Sequence, residues 1–293
     1  MLYFFDTHTH IHRSRTYRGD LPDKLVERAA RVGVRAILLA SVDESDWQFL
    51  EDFSTNYCVN LVYSWGLHPW RVVEVTPSQT RDLLDQLRMR IYRRPPALCA
   101  IGETGLDFVR SRDRETREHQ VAVLREHVDL ARATGLPLSL HCVHAHGPML
   151  EILLERATPA SVMHAFSGSA EVARRLMRAG HYLSFAGNLD RPNARKLIES
   201  ARAVARDRVL IETDSPDQTP LVRRPRSNEP AFVVDVARRL AEVRGESLDE
   251  VADSTRANAC RVFRIDERAL LCEFPGDLGG DVDRLLALEP EAT

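Results

Sequence analysis

The chain has 293 residues, 44% of them hydrophobic and 28% charged, with a formal net charge of −3. That length accommodates one large core or two smaller ones. The nearly balanced charge excludes a protein that coats nucleic acid with a broad basic surface, but not an enzyme that touches a few phosphates.

The five cysteines, Cys58, Cys99, Cys142, Cys260 and Cys272, are odd in number and scattered, with no CxxC pair. This argues against a disulfide framework and a cysteine-based zinc module, and predicts reduced thiols in a soluble, cytoplasmic protein. Acid and histidine interrupt the apolar start by Asp6, so neither a secretory signal nor a membrane span is expected.

The first strand is predicted at LYFF (2–5), directly before DTHTH. PDKLVERAARVG then shows helical periodicity, with Leu25, Ala29 and Val32 on one face and Gly33 suited to the left-handed position after the last turn. Further β-rich runs follow at RAILLAS (35–41), VNLVYSW (59–65), ALCAI (97–101), PLSLHC (137–142), SVMHAF (161–166), HYLSFA (181–186) and RVLIET (208–213), eight in all. Apolar strands alternating with helices imply a parallel sheet buried on both faces. Eight such units predict an α/β fold of the (β/α)8 TIM-barrel type, a single domain over residues 1–265. Closing helices are expected at about 229–244 and 248–263, the second introduced by Ser247 and Glu250 at capping-box spacing. Residues 266–293 are acid-rich and are expected to form a loosely attached acidic tail, with at most one short helix around Val282 to Leu288.

In a parallel barrel the C-terminal strand ends carry the chemistry. There the sequence places Asp6, His8 and His10 (strand one), His68 of GLHPW (strand three), Glu103 and Asp107 of IGETGLDF (strand four), His141 (five), His164 (six), and Glu212 and Asp214 of ETDSP (eight). A single histidine at such a place is more often a satisfied core or surface group than a ligand. So many imidazoles and carboxylates at one mouth are not explained by packing, because desolvating them without partners costs on the order of several kcal/mol.

Strand alternation sends His8 and His10 to the same side, where both can reach one ion. The donors suit zinc, manganese or iron, and with more carboxylate and water also magnesium. Their number exceeds what one tetrahedral ion takes and predicts two divalent ions. One would be held by His8, His10, Glu103 and Asp214, the other by Glu103, His141 and His164, with Glu103 bridging. Such a pair acidifies a shared water and clamps attacking and leaving oxygens, so the implied reaction is hydrolysis. His12 lies beyond the strand end and is left out of the site.

The motifs DTHTHI, GLHPW, IGETGLDF, HCVHA, MHAFSGS, ETDSP, SNEPAFV and TRANACRVF stand in this order. Together they resemble the TatD-type metal-dependent deoxyribonucleases of the amidohydrolase-like barrel superfamily, over about residues 3–265. The resemblance implies a (β/α)8 barrel, two divalent metal ions (Mg2+, Mn2+ or Zn2+) and hydrolysis of DNA phosphodiester bonds, as a 3′ to 5′ exonuclease preferring single strands. It puts His8, His10, Glu103, His141, His164 and Asp214 on metal-ligand positions. It makes Asp214 the proton acceptor that orients the attacking water, with Glu103 between the metals, and sets His68 against a substrate phosphate. The expected partner is DNA as substrate, with no membrane, no obligate protein partner and a monomeric state.

Around these positions, Asp107 is expected to anchor its loop, Glu212 to pair beside the site, and Asn228 and Pro230 to cap and start a helix. Phe166 and Gly168 are expected to shape the site floor, while Trp65 and Trp70 flank His68, with packing the default and base stacking the alternative. RMRIYRR (88–94) reads as a solvated outer face. RRPR (223–226) follows the last strand end, which makes Arg223, Arg224 and Arg226 candidates for the DNA backbone. Val143 and Asp217 depart from the family pattern at the substrate rim. The competing reading is an amidohydrolase of a small cyclic amide, lactone or ester; Glu103 on strand four, with no lysine close to it, favours the nuclease branch. A non-catalytic barrel serving as a binding module is the reading of a different class.

Overall fold

Strand β1 (Phe4–Thr9) is buried along its whole length, as a strand between a filled barrel interior and an outer helical layer must be. In the computed structural model, which describes residues 2–16, 22–53, 59–271 and 276–288, it is followed by β2 (Val34–Ala40), β3 (Asn60–Trp65), β4 (Leu98–Asp107), β5 (Leu138–Val143), β6 (Val162–Met163), β7 (Tyr182–Phe185) and β8 (Val209–Ile211). All pairings are parallel and run in sequence order. The ring is joined between its first and last members by hydrogen bonds from Asp214 N to His8 O (2.9 Å) and from His10 N to Ser215 O (2.7 Å). The predicted (β/α)8 barrel is therefore the observed fold.

Between and after the strands lie α1 (Pro22–Arg31), α2 (Glu44–Phe53), α3 (Pro69–Glu74), α4 (Pro77–Tyr92), α5 (Arg114–Thr134), α6 (His146–Glu155), α7 (Ala170–Arg178), α8 (Arg195–Ala203), α9 (Val233–Arg244), α10 (Leu248–Phe263) and α11 (Val282–Leu288). Gly33 turns the chain from α1 into β2 with φ +90, and a Cβ there would stand 2.4 Å from the Leu2 carbonyl oxygen, so only glycine fits. The capping box of α10 forms as expected between Ser247 and Glu250. Among the described helices none is long and apolar enough to cross a membrane.

Several boundaries differ from the sequence expectation. β4 runs to Asp107 and carries Glu103 inside the strand, whereas β6 and β8 are short and release His164 and Asp214 onto the loops. A 3-10 turn (Pro230–Phe232) precedes α9. The short helix near the C-terminus forms, but its segment is not loose. Val282 and Leu285 are fully buried in the core, Leu278 N donates to Arg31 O, and Asp277 pairs with Arg35. A period-3.6 apolar pair in an acid-rich stretch was enough to dock it. Cys58 and Cys272 lie outside the described residues; Cys99, Cys142 and Cys260 are free thiols and buried.

Candidate active site

Glu103 is 1% exposed and its two carboxylate oxygens face different groups. Oε2 lies 3.1 Å from both His8 Nε2 and His10 Nε2, and these two nitrogens are 3.2 Å apart. Oε1 lies 2.7 Å from His141 Nδ1 and 2.8 Å from His164 Nε2, which are 3.3 Å apart. Asp214 Oδ1 completes the first group at 3.9 Å from His10 and 4.0 Å from His8. The six residues predicted to hold metal thus converge, drawn from β1, β4, β5 and the ends of β6 and β8. Donors about 2.0 Å from one tetrahedral ion stand about 3.3 Å from each other. The triangle of His8, His10 and Glu103 has that spacing.

The second nitrogen of each ring determines what the first can do. His10 Nδ1 lies 2.8 Å from the Ala40 carbonyl oxygen, which can only accept, so the proton is on Nδ1 and Nε2 keeps its lone pair. His141 Nε2 faces the Asp107 carboxylate at 3.5 Å and His164 Nδ1 faces Glu212 at 3.4 Å, which leaves His141 Nδ1 and His164 Nε2 as the lone-pair atoms. His8 Nδ1 is 3.1 Å from Ser139 Oγ. His68 is reversed. Its Nδ1 accepts the Trp70 backbone N–H, so the neutral ring carries its proton on Nε2, 3.1 Å from Glu103 Oε1. His68 is a hydrogen-bond donor in this arrangement, although it sits among lone-pair donors.

Electrostatics match a cation site. Burial is the largest influence on His8 and His68 and lowers both to about 4, which keeps these rings neutral. Burial would raise Glu103, but His68, His164 and His8 around it outweigh that and hold its carboxyl well below the usual range. Burial pushes Asp214 up to about 6. Burial would lower His164, yet Glu103 and then Glu212 hold it well above its ordinary value. The neutral His8 ring and the ionised Glu103 carboxylate are in the states a divalent ion requires, whereas His164, held above its ordinary value, would release its proton when an ion binds. The donors of the centre, grouped as His8, His10 and Glu103, as His8, His164 and Asp214, and as His68, Glu103 and His141, could hold divalent metal.

The supporting residues fall into place around this centre. Asp107 accepts from the backbone N–H of Val109 and Arg110 and from Trp70 Nε1 (2.7 Å), anchoring its loop as expected while also orienting His141. Glu212 pairs with His164 and accepts from Ala165 N. Asp6 does not reach the donors; it accepts from Thr213 N and Oγ1 and ties β1 to β8. His12 is buried against Asp46 at 3.4 Å, outside the site. Phe166 is buried, and a Cβ on Gly168 would meet its ring at 2.6 Å. Trp65 is fully buried, whereas Trp70 is 39% exposed with Arg110 over its face.

Two expectations need correction. Asn228 caps no helix; its Nδ2 donates to Thr213 O at 2.7 Å and bonds the Asp217 carbonyl, fastening the loop that carries Asp214. Arg223 does not reach for substrate. It is buried and bonds Asp235 and Asp283, because an arginine desolvated against α9 must find carboxylates. Arg224 is exposed.

The donors open into a cleft of about 190 Å³ lined by His141, Val143, His164, Asp214, Asn188, Arg191 and Gln218, among others. Asn188 and Arg191 follow β7, a strand to which sequence reasoning assigned no site residue. The rule that strand ends carry function would have found them at NLDR.

Barrel and site together define a metal-dependent hydrolase. Residues 5–264 match the family described as "TatD related DNase". The chain is 34% identical to "Uncharacterized metal-dependent hydrolase YabD" of Bacillus subtilis, over 89% of this chain and 99% of that protein. It is 32% identical to "Uncharacterized metal-dependent hydrolase TatD" of Mycobacterium tuberculosis, over 88% and 97%. It superposes on the crystal structure of YJJV, a TatD homolog from Escherichia coli, with a TM-score of 0.81 at 28% identity, covering 90% of this chain and 98% of that one. The chain belongs to the TatD family.

Proposed function

We propose that the protein is a metal-dependent deoxyribonuclease that hydrolyses DNA phosphodiester bonds, as a 3′ to 5′ exonuclease preferring single strands. The observation that carries this reading is the division of Glu103, one oxygen toward His8 and His10 and the other toward His141 and His164. A divalent pair held by these residues would supply an acidified water and charge neutralisation at both oxygens of a phosphodiester displacement. Asp214 accepts the proton of the attacking water, and His68, with its proton on Nε2, donates to a phosphate oxygen. Arg224, exposed after β8, is retained as a backbone contact. The strand preference and polarity carry over from the family.

The amidohydrolase reading has less support. Members of that superfamily that bridge metals through a carboxylated lysine need it on a strand, and this chain's lysines, Lys24 and Lys196, stand on α1 and α8. The test is metal analysis of the purified protein joined to cleavage of end-labelled single- and double-stranded oligonucleotides with Mn2+ or Mg2+. The expected result is stepwise shortening of single strands from the 3′ end, abolished by chelator. Turnover of lactone or dihydroorotate with intact DNA would reverse the choice.

A further inference from the structure

The loops after β7 and β8 bring a second polar group to the cleft. Asn188, Arg191 and Gln218 line it together with His141, His164 and Asp214. Gly187 makes this possible, because a Cβ there would stand 2.0 Å from the Gln218 carbonyl oxygen and 2.7 Å from Pro220 N. Without a side chain at 187 the two loops press together and set Asn188 beside the Gln218 segment.

The side chains are poised for a ligand. Asn188 is 9% exposed, and its Oδ1 is buried without a hydrogen-bond partner, as is Gln218 Oε1. A buried amide oxygen left unpaired costs about 1–3 kcal/mol, so two on one cleft wall call for an external partner. Arg191 is exposed on the same cleft, and among the described residues no carboxylate pairs with its guanidinium. This contrasts with Arg28, Arg223 and Arg244, which form close ion pairs. A guanidinium presents a planar fork of donors that matches phosphate oxygens. An amide offers both a donor and an acceptor, the pattern on a base edge.

We propose that Asn188, Arg191 and Gln218 form a nucleotide subsite beside the metal centre, in which Arg191 holds the phosphate neighbouring the scissile one and the two amides bond the base or sugar of that nucleotide. The proposal rests on the phosphodiesterase reading and adds the recognition of a flanking nucleotide, which a minimal diester lacks.

The test compares wild type, Arg191→Gln, Arg191→Lys and Asn188→Leu, with Mn2+, on a single-stranded oligonucleotide and on bis(p-nitrophenyl) phosphate. Arg191→Gln is expected to raise the oligonucleotide KM about ten-fold, with a change of less than about three-fold on the minimal diester. The slope of log KM against log salt is expected to flatten by about 0.7, as for one lost phosphate contact on a single strand, and Arg191→Lys to recover it. Asn188→Leu is expected to raise the oligonucleotide KM with the salt slope intact. A wild-type KM and salt slope in Arg191→Gln would overturn the subsite, as would an equal loss on both substrates. The wild-type arm isolates the premise: hydrolysis of neither substrate rejects the phosphodiesterase reading itself, and hydrolysis of the small diester alone rejects the nucleotide as ligand.

Discussion

The backbone N–H of Trp70 donates to His68 Nδ1 at 3.1 Å, and this one bond sets His68 apart from the four other histidines of the centre. Trp70 is the second residue of α3 and His68 is its N-cap, so the helix start dictates the tautomer. His68→Ala is expected to retain two metal equivalents by elemental analysis while kcat falls about 100-fold, the size of effect seen when one transition-state hydrogen-bond donor is removed. Loss of a metal equivalent in that variant would make His68 a ligand.

Glu103 is shared by both halves of the centre, so its removal cannot spare one ion. Glu103→Ala is expected to lose metal and activity together. Wild type at a metal concentration of about 100 Kd should gain about 2.7 kcal/mol of stability. The variant's melting temperature should not respond to the same addition in a thermal scan.

Asp214 stands at the edge of the first donor group, 3.9 Å from His10, and the proposed function gives it proton transfer as well as ligation. Asp214→Asn is expected to lower kcat about 1,000-fold with KM changed by less than about three-fold. Steady-state kinetics on an oligonucleotide read the two constants separately; full turnover in the variant would remove Asp214 from the chemistry.

His127 and His181 are buried away from the centre, and burial lowers both to about 4. His127 Nδ1 donates to Val123 O and its Nε2 accepts the Leu67 N–H, a pairing that needs the neutral ring. In the unfolded chain histidine titrates near 6.5 and therefore binds a proton first on acidification. Stability is full above about pH 6.5 and declines as pH falls toward about 4, by about 1 kcal/mol per residue at pH 5.5. Urea unfolding of metal-free protein at pH 7.5 and 5.5 should show this loss, and His127→Gln should shrink the difference by about 1 kcal/mol; an unchanged difference would reject the account.

Much of this protein was legible in the chain because the relevant patterns are local. Alternation along FFDTHTH sends His8 and His10 to one side whatever the rest of the molecule does, and eight apolar runs separated by helical stretches leave little choice but a parallel barrel. What the tertiary structure decided involves groups far apart in sequence. Which oxygen of Glu103 meets which imidazole, and which ring nitrogen is free, depends on Ala40, Asp107, Ser139 and Glu212, brought together by barrel closure. Arg223 looked free beside the last strand end, yet its carboxylate partners come from α9 and α11. The Asn188 and Gln218 amide oxygens, each buried without a partner, stand on loops that meet over Gly187. Strand and helix periods follow from backbone geometry over a few residues, whereas tautomers, ion pairs and unfilled hydrogen-bonding capacity are set by desolvation among distant segments, which no local pattern encodes.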